Sequence, residues 1–450
     1  MSKTNLIVIV IVASVWTACH KDNDYCPGAL HNDCSLIDAA TIPDQGPTGC
    51  SSNTQCTAPT AVCDIPTTTC VQCTSSEASA CSGTTPVCGT NDGCRGCEAH
   101  AECSSDVCLP DGSCGSDTNV AYVDPGGTDN TSCTKAMPCT KVAKALATGR
   151  AFVKFTGSTN DQVSINNQNV TLLADPGAKL SYSLAGVILT VTGTSNVSIY
   201  DLSITDGLGS TGVGISMPTG NTAVLSLHRA KLTNNAGGAV STSGGTLSVT
   251  QSTISGNAGG GFVASGGTLT VTQSTISGNA GGGFSLSSTQ FTITNNFIAG
   301  NGGPSPTNTI GGINLAIVSA SPHQLEFNTI TANAGGMSVN SGVNCGTVTV
   351  SVNLANNIIY GNLVSGSGKQ LGGSVSCTAS YSDIGPDITA GTGNINADPL
   401  FVNAGQSNYH LQAASPAKDS ADPAATLNVD FDGDTRPQGP ARDMGADEYK

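Results

Sequence analysis

The sequence predicts an all-β protein built mainly as a parallel β-solenoid, that is, a stack of short coils. Residues 246–301 carry a repeated block: TLSVTQSTISGNAGGGF is followed by TLTVTQSTISGNAGGGF and then by the looser QFTITNNFIAGN. The copies are 22 residues apart, and a fixed short period indicates a repeat architecture. Apolar residues in each copy lie two apart, as Leu269 and Val271 do, which is the period of a strand. Gly and Asn, which favour tight corners, separate these strands.

The repeated block resembles the coil of right-handed parallel β-helix proteins of the pectate-lyase-like superfamily. The resemblance implies a right-handed, single-stranded parallel β-helix in which each copy forms one coil. Each strand would then pair with the strands of the coils above and below it, at about 4.8 Å. About nine coils are expected over residues 161–380.

One asparagine recurs three residues after an apolar anchor residue of each coil. Identical side chains stacked at one corner can form a ladder of hydrogen bonds, and Asn tolerates the left-handed backbone that a corner needs. A structural role therefore explains these residues without any function. The ladder is predicted at Asn235, Asn257, Asn279, Asn301, Asn333 and Asn362.

Residues 1–18 are predicted to be an export signal. Their apolar run at 6–15 is too short to span a bilayer as a helix. The residues WTAC at 16–19 resemble a bacterial lipobox, which implies acylation of Cys19 and a membrane anchor through that lipid. We then expect an outer-membrane lipoprotein, or a protein at the cell surface or outside the cell; simple secretion with cleavage nearby is the alternative.

Residues 19–118 are predicted to form a disulfide-rich module that includes a linker at 35–49. The chain has 19 cysteines, and 18 remain without Cys19. An even number in an exported chain indicates disulfides, and zinc is disfavoured because no histidine lies at ligand spacing. Twelve of the cysteines form three sets whose internal pairing the sequence leaves open: Cys50, Cys56, Cys63 and Cys70; Cys73, Cys81, Cys88 and Cys94; Cys97, Cys103, Cys108 and Cys114. The other expected pairs are Cys26 with Cys34, Cys133 with Cys139, and Cys345 with Cys377.

Residues 119–160 are predicted to form the N-terminal cap of the solenoid. The segment VAYVDPGGTD at 120–129 resembles the beginning of many extracellular β-helix proteins. The following KVAKALA at 141–147 has Val142, Ala145 and Leu146 on one helical face. An amphipathic helix here would cover the apolar end of the coil stack.

The net charge of −15 is unevenly distributed: −10 over residues 1–120, +2 over 121–380 and −7 over 381–450. No basic patch is visible, so nucleic acid is excluded as an expected partner. The near-neutral middle of the chain also disfavours a polyanionic polysaccharide.

The resemblance implies relatives that cleave acidic polysaccharides. Elimination uses a cation held by clustered carboxylates and a basic residue, whereas hydrolysis uses two carboxylates. Arg229-Ala-Lys231 matches the R-x-K of polygalacturonases, but their paired aspartates and Gly-His-Gly are missing. The weak catalytic candidates are Asp201, Asp206, His228, Arg229 and Lys231.

A structural interpretation of these candidates is preferred to catalysis. Asp201 and Arg229 each lie three residues before an anchor, so we expect them to pair across adjacent coils. Such a surface ion pair contributes at most about 1 kcal/mol. His228 is expected on a solvated face.

Residues 381–450 close the chain with NADPLFV, DFDGDTR and DMGADEY. This series resembles the C-terminal segment of bacterial choice-of-anchor Q β-helix proteins, which implies an exported surface protein and no particular reaction. No cofactor is expected apart from calcium, for which Asp430, Asp432 and Asp434 are weak candidates. The segment does not match the EF-hand motif, because Thr435 and Ala441 occupy the positions where that motif requires Gly and Glu. The preferred interpretation of this segment is a tight turn in which Arg436 pairs with a nearby carboxylate.

These observations favour an exported binding or scaffolding module, with neutral glycans as candidate ligands along the Ser/Thr/Asn-rich faces. A polysaccharide-cleaving lyase or glycosidase is the first alternative, and a structural or adhesive stalk is the second.

Overall fold

A computed structural model describes residues 49–303, 310–316, 323–335, 341–346, 350–363, 369–373, 376–387 and 390–450. The expected export signal, the lipid site Cys19 and the pair Cys26 and Cys34 lie outside these residues. The described residues divide into two compact units, the first ending at Ala80 and the second beginning at Cys81. Among the helices in the described ranges, none is long and apolar enough to cross a membrane.

The first unit contains one small hairpin held by disulfides. Strand β1 (Val62–Asp64) pairs antiparallel with β2 (Thr69–Val71), and single 3-10 turns lie at Asn53–Gln55 and Ala78–Ala80. Its bridges are Cys50–Cys63 and Cys56–Cys70. A unit of this size has little apolar core, so covalent bridges must supply much of its stability.

Further cysteine loops open the second unit. They contain the short hairpin of β3 (Val87–Cys88) and β4 (Cys94–Arg95), with 3-10 turns at His100–Glu102 and Asp117–Asn119. The bridges there are Cys81–Cys94, Cys97–Cys108 and Cys103–Cys114, and Cys88 is also disulfide-bonded. The first and third sets thus share one connectivity, first with third and second with fourth, which the sequence had left open.

The remainder of the second unit is a parallel β-solenoid. Helix α1 (Val142–Ala147) buries Val142, Ala145 and Leu146 against it, as predicted for the capping helix. The solenoid strands, in chain order, are β5 (Val120–Val123), β6 (Phe152–Phe155), β7 (Thr159–Asn160), β8 (Val163–Asn166), β9 (Asn169–Ala174), β10 (Lys179–Ser181), β11 (Leu189–Thr192), β12 (Asn196–Tyr200), β13 (Ser203–Thr205), β14 (Ile215–Met217), β15 (Val224–His228), β16 (Lys231–Thr233), β17 (Val240–Thr242), β18 (Thr246–Thr250), β19 (Thr253–Ser255), β20 (Phe262–Ala264), β21 (Thr268–Thr272), β22 (Thr275–Ser277), β23 (Phe284–Ser287), β24 (Gln290–Thr294), β25 (Phe297–Ala299), β26 (Ile313–Ala316), β27 (Gln324–Glu326), β28 (Thr329–Thr331), β29 (Val343–Cys345), β30 (Val352–Ala355), β31 (Ile358–Tyr360), β32 (Leu371–Gly373), β33 (Cys377–Ser380) and β34 (Asp383–Gly385).

These strands form three parallel sheets that run the length of the stack. From β6 onward every third strand belongs to the same sheet, with each strand paired to its equivalents one coil away. We call the sheet of β6, β9, β12 and their equivalents sheet A, that of β7 and β10 sheet B, and that of β8 and β11 sheet C. Eight complete coils lie within 161–380, from β9 to β32, slightly fewer than the nine predicted. A further coil begins earlier, at Phe152, because the chain after α1 already pairs as a strand.

The core is the inside of the solenoid, where residues of equal position stack coil upon coil. Leu247, Leu269 and Phe291 are aligned in sheet A and fully or almost fully buried. Phe262 and Phe284 stack inside sheet C with ring centroids 4.8 Å apart. The outward positions of sheet A carry hydroxyl groups in a column: Thr171, Ser198, Ser226, Ser248, Thr270 and Thr292.

The predicted asparagine positions form one continuous buried ladder. In Asn257, for example, the backbone N–H and Nδ2 both donate to Oδ1 of Asn279, at 3.1 and 2.8 Å, and Nδ2 also donates to the carbonyl of Leu232. The left-handed residue of this corner is the one before each asparagine, as at Gly256 with φ 67°. The expectation that the asparagines themselves adopt the left-handed conformation was therefore wrong: they turn inward to bond, and the preceding residue makes the corner.

A second ladder, which the sequence analysis missed, follows the corner after sheet A. Its members donate their backbone N–H to the side-chain oxygen of the next coil, as Ser274 does to Asn296 at 2.9 Å. The ladder runs through Ser252, Ser274, Asn296, Asn328, Asn357 and Ser382. Because both serine and asparagine occur in it, no single residue type signalled it.

The C-terminal segment folds back along the corner after sheet A. It contains β35 (Phe401–Asn403), β36 (Asn408–Leu411) and a 3-10 turn at Ala404–Gln406. The side chains of Gln273 and Asn295 donate to the carbonyls of Asp430 and Val429, at 2.9 and 2.8 Å. The ring of Phe297 packs on that of Phe431, with centroids 4.3 Å apart. The segment is thereby an integral part of the second unit.

Candidate functional site

A cleft in the second unit lies between the third cysteine set and the outer surface of the early coils. Its volume is about 890 Å³. One wall comprises residues 97–101 and 108–110, and the other comes from residues 173–177, Tyr200, Asp201, Ser203, Arg229 and Lys231. We call it the loop–coil cleft.

Asp201 and Arg229 form an ion pair on the coil side of this cleft. Each follows a strand of sheet A and adopts the left-handed conformation, with φ 63° and 50°. Nε and Nη2 of Arg229 donate to the two carboxylate oxygens of Asp201, at 2.8 and 2.7 Å. The predicted pairing across adjacent coils is confirmed. The hydrogen bond to Asp201 raises the pKa of Arg229 above its usual value.

Tyr200 and His228 form a stacked pair of rings beside the ion pair. They occupy equivalent positions in β12 and β15, their ring centroids are 4.6 Å apart and the planes are 10° from parallel. Burial, followed by the charge of Arg229, lowers the pKa of His228, so the imidazole is neutral at neutral pH. The expectation of a solvated His228 was wrong, because strand pairing places it directly on a tyrosine ring.

Buried or half-buried polar residues that the sequence analysis missed support both walls. Lys154 is fully buried, and its Nζ lies 2.6 Å from Oδ1 of Asp175. Nδ1 of His100 accepts the backbone N–H of Cys108 at 3.0 Å, and burial lowers the pKa of His100. A lysine inside the apolar strand FVKF was the one signal available in the sequence.

The structure thus brings together four of the five candidate residues. Lys231 is exposed and lines the cleft, next to Arg229. Asp206 is exposed at the other end of β13 and does not line the cleft. Its backbone N–H donates to the carbonyl of Thr233, as expected of a corner residue.

Each carboxylate that lines the loop–coil cleft has a cation beside it. Asp175 and Asp201 face Lys154 and Arg229, and Glu98 lies near Arg95 with an N–O distance of 3.9 Å. Lys231 adds one further exposed cation, so the cleft carries only a small net charge. A cleft with an aromatic ring, a hydroxyl and a small net charge suits a neutral polar ligand better than a polyanion.

The calcium candidates lie in the C-terminal segment. Ligand atoms of Asp430, Asp432 and Asp434 lie within 4.8 Å of one another. Asp430 accepts the backbone N–H groups of Asp432, Asp434 and Glu448, while Asp434 lies 2.5 Å from Nζ of Lys450. Two of the three carboxylates are thus engaged by the protein itself in a tight turn.

Arg436 lies buried beneath this turn. Its Nη1 donates to Glu448 at 2.9 Å and to the carbonyl of Asp443 at 3.1 Å. The predicted pairing of Arg436 with a carboxylate is confirmed.

The comparisons with known proteins agree with the coil architecture. A family model described as a right handed beta helix region matches residues 185–371. A crystal structure of pectate lyase Pel9A is 16% identical with a TM-score of 0.57, the match covering 74% of this chain and 97% of that chain. Pectin methylesterase PemA from Erwinia chrysanthemi is 13% identical over 60% of this chain and 90% of its own, with a TM-score of only 0.38. No curated protein matches the chain.

Proposed function

We propose that this chain, a right-handed parallel β-helix repeat protein with a pectate-lyase-like fold, binds a neutral polysaccharide in the loop–coil cleft. The observation that carries the proposal is the stacked Tyr200–His228 pair at the coil wall. The half-buried Tyr200 ring adds apolar surface to the wall of the cleft, and the paired Asp201 and Arg229 beside it present fixed hydrogen-bonding groups. Such a combination orients a ligand that has both apolar and hydroxyl surfaces.

The hydroxyl column of sheet A extends the same surface along the coils. Ser226, Ser248 and Thr270 are half-buried and repeat at the strand spacing of about 4.8 Å. A linear polymer anchored at Tyr200 would meet the same donor and acceptor at every coil. Elongated ligands are therefore favoured over single sugars.

The test is retention of the full-length, oxidised protein on immobilised neutral polysaccharides, with polygalacturonate as the acidic comparison. Tyr200→Ala should weaken retention on the neutral polymer about tenfold or more, since stacking on a ring contributes on the order of 1–2 kcal/mol. Tyr200→Phe keeps the ring and should bind nearly as well. Lys179→Ala is a matched surface control, because Lys179 occupies the position of Lys231 two coils earlier without lining the cleft.

The same assay distinguishes the alternatives. New reducing ends or unsaturated products would replace the binding proposal by the polysaccharide-cleaving enzyme, and Arg229 and Lys231 would be changed next. Absence of both retention and product would favour the structural stalk.

We also propose that the chain is exported and held at a membrane by a lipid on Cys19. The disulfides in both units support an oxidising compartment. Radiolabelled fatty acid should be incorporated into the wild-type chain and not into Cys19→Ser. A wild-type chain recovered without label from the membrane fraction would contradict the anchor.

A further inference from the structure

A second polar cluster lies in the C-terminal segment, away from the loop–coil cleft. It consists of His410 in β36, Asp432 in the turn after Asp430, and Asp447 near the end of the chain. One ligand atom from each, Nε2 or a carboxylate oxygen, lies within 4.8 Å of the other two. Three separate stretches of the chain therefore converge on one point.

The orientation of the His410 ring is set by Asn408. Oδ1 of Asn408 accepts the backbone N–H of His410 at 3.2 Å and lies 2.7 Å from Nδ1. The first bond fixes which end of the amide faces the ring, and an amide oxygen has no proton to donate. Nδ1 must therefore carry the proton. In the neutral ring, Nε2 then has a free lone pair and acts as an acceptor.

Nε2 points at two carboxylates. It lies 2.9 Å from Oδ2 of Asp432 and 3.9 Å from Oδ1 of Asp447. A neutral Nε2 and two carboxylate oxygens are all acceptors, so they repel one another unless a positive charge lies between them. That charge is either a proton, held on Nε2 or on one of the carboxyl groups, or a metal ion.

The environment of Asp447 favours the metal ion over the proton. The residue is only 5% exposed, and its Oδ2 is held by the backbone N–H of Leu411 at 2.7 Å. Its Oδ1 accepts no hydrogen bond from the described residues and is too distant from Nε2 to share a proton. A carboxylate oxygen on a buried residue that accepts no hydrogen bond from the protein is free to bind an ion, and a proton on Nε2 would satisfy only Asp432.

We propose that His410, Asp432 and Asp447 bind a divalent transition-metal ion of the Zn²⁺ class. Two ligands at about 2.1 Å from one ion can be at most about 4.2 Å apart, and both separations from Nε2 lie below that limit. Imidazole with carboxylates suits this class, whereas Ca²⁺ takes oxygen ligands alone. A histidine whose other ring nitrogen donates a hydrogen bond is the usual supporting arrangement for such a ligand.

The surroundings of the cluster fit a partly open site. The side chains of His410 and Asp432 are 37% and 44% exposed, which leaves room for water to complete the coordination. The rings of Phe297 and Phe431 pack around the imidazole on its protein side. A bound ion would join β36, the aspartate turn and the end of the chain.

The test is a titration of the full-length, oxidised protein with Zn²⁺ after free thiols have been blocked. Isothermal calorimetry should show one ion per chain, and His410→Gln or Asp432→Asn should weaken that site at least about 100-fold. His323→Gln is the matched control, since His323 packs on Phe291 away from both sites and its loss should leave the affinity unchanged. Asn408→Ala keeps all three ligands but frees the ring, and should weaken binding about 10- to 100-fold.

A spectroscopic signal separates the site from nonspecific binding. Co²⁺ should give visible absorption of a nitrogen–oxygen ligand set in the wild-type chain and in His323→Gln, and not in His410→Gln. A wild-type chain that binds no ion would show that a proton supplies the charge, and would overturn the proposal. Stoichiometric binding that persists in His410→Gln would overturn it as well.

Discussion

The coils and the C-terminal segment both bury polar side chains, but they satisfy them in different ways. In the coils each asparagine bonds to its copy one coil away, so a single neutral residue type serves every level, as in the pair of Asn257 and Asn279. In the C-terminal segment one buried arginine, Arg436, bonds to Glu448 and to the carbonyls of Asp443 and Gly445. The ladder is periodic and uncharged, whereas the cluster is unique and charged.

This difference predicts different responses to mutation. A ladder position has equivalent neighbours above and below that can keep bonding to the rest of the stack. A charged cluster has no such redundancy, because removal of one member leaves the others buried without a counter-charge. The most damaging single changes should therefore lie in the C-terminal segment and not in the repeated core.

Arg436→Met is expected to have the largest effect, a loss of about 3–5 kcal/mol in the free energy of unfolding, since it leaves Glu448 buried without its partner. Urea unfolding measures it. The double variant Arg436→Met with Glu448→Leu should recover part of the loss, because no buried charge then remains unpaired. A single variant within 1 kcal/mol of wild type would contradict the contrast between cluster and ladder.

Asn279→Ala should cost about 2–4 kcal/mol. Its Oδ1 accepts two bonds from Asn257, and its Nδ2 donates to Asn301 and to the carbonyl of Ile254, so several buried groups lose a partner. Asn196→Ala, an exposed position in β12, should change stability by less than about 0.5 kcal/mol. Equal effects at the two positions would mean that the ladder contributes no stability.

The same contrast explains how much could be predicted from the sequence. The solenoid and the asparagine corner follow from the 22-residue period, since identical residues at identical spacing must stack. The second ladder was missed because its positions mix serine and asparagine. The partners of Arg436 could only be predicted as some nearby carboxylate, because its contacts with Glu448 and Asn295 depend on how the segment folds back.

In the candidate site, too, the repeat predicts some contacts, while others depend on how distant parts of the chain pack. The pair of Asp201 and Arg229 was predictable, because both lie at equal distances from anchor residues of adjacent coils. The cleft itself was not, because it requires the third cysteine set to lie against residues 173–177. Nothing in the spacing of Cys97 to Cys114 indicates which surface those loops cover.

Asp383 offers a smaller, pH-dependent test at the last coil. It is fully buried, its Oδ2 has no partner among the described residues, and burial raises its pKa to about 6 from an ordinary 3.8. The folded chain then binds more protons than the unfolded chain between about pH 4 and 6, so this group's contribution to stability falls as the pH rises through that window. The total change should be about 2–3 kcal/mol.

Denaturant unfolding between pH 4 and 7 should show this slope reduced in Asp383→Asn relative to wild type. Asp206→Asn, an exposed control, should keep the wild-type slope. His100 and His228 act in the opposite sense, since their lowered pKa values remove stability as the pH falls below about 6.5. Only the difference between variant and wild type therefore isolates Asp383, and identical slopes would contradict the prediction.

The ion pair of Asp201 and Arg229 should have the smallest effect, although its geometry resembles that of Arg436 with Glu448. The two side chains are 34% and 54% exposed, so water screens their attraction. A double-mutant cycle with Asp201→Asn and Arg229→Gln should give a coupling energy of about 0.5–1 kcal/mol that decreases in 1 M salt. Both replacements suit the corner, since Asn tolerates a left-handed backbone and Gln251 and Gln273 occupy the same position in later coils. A coupling energy above about 2 kcal/mol that does not decrease in salt would contradict this prediction. It would show that the cysteine loops shield the pair from water, so that the pair behaves like buried Arg436 with Glu448 and not like an exposed pair on the coil surface.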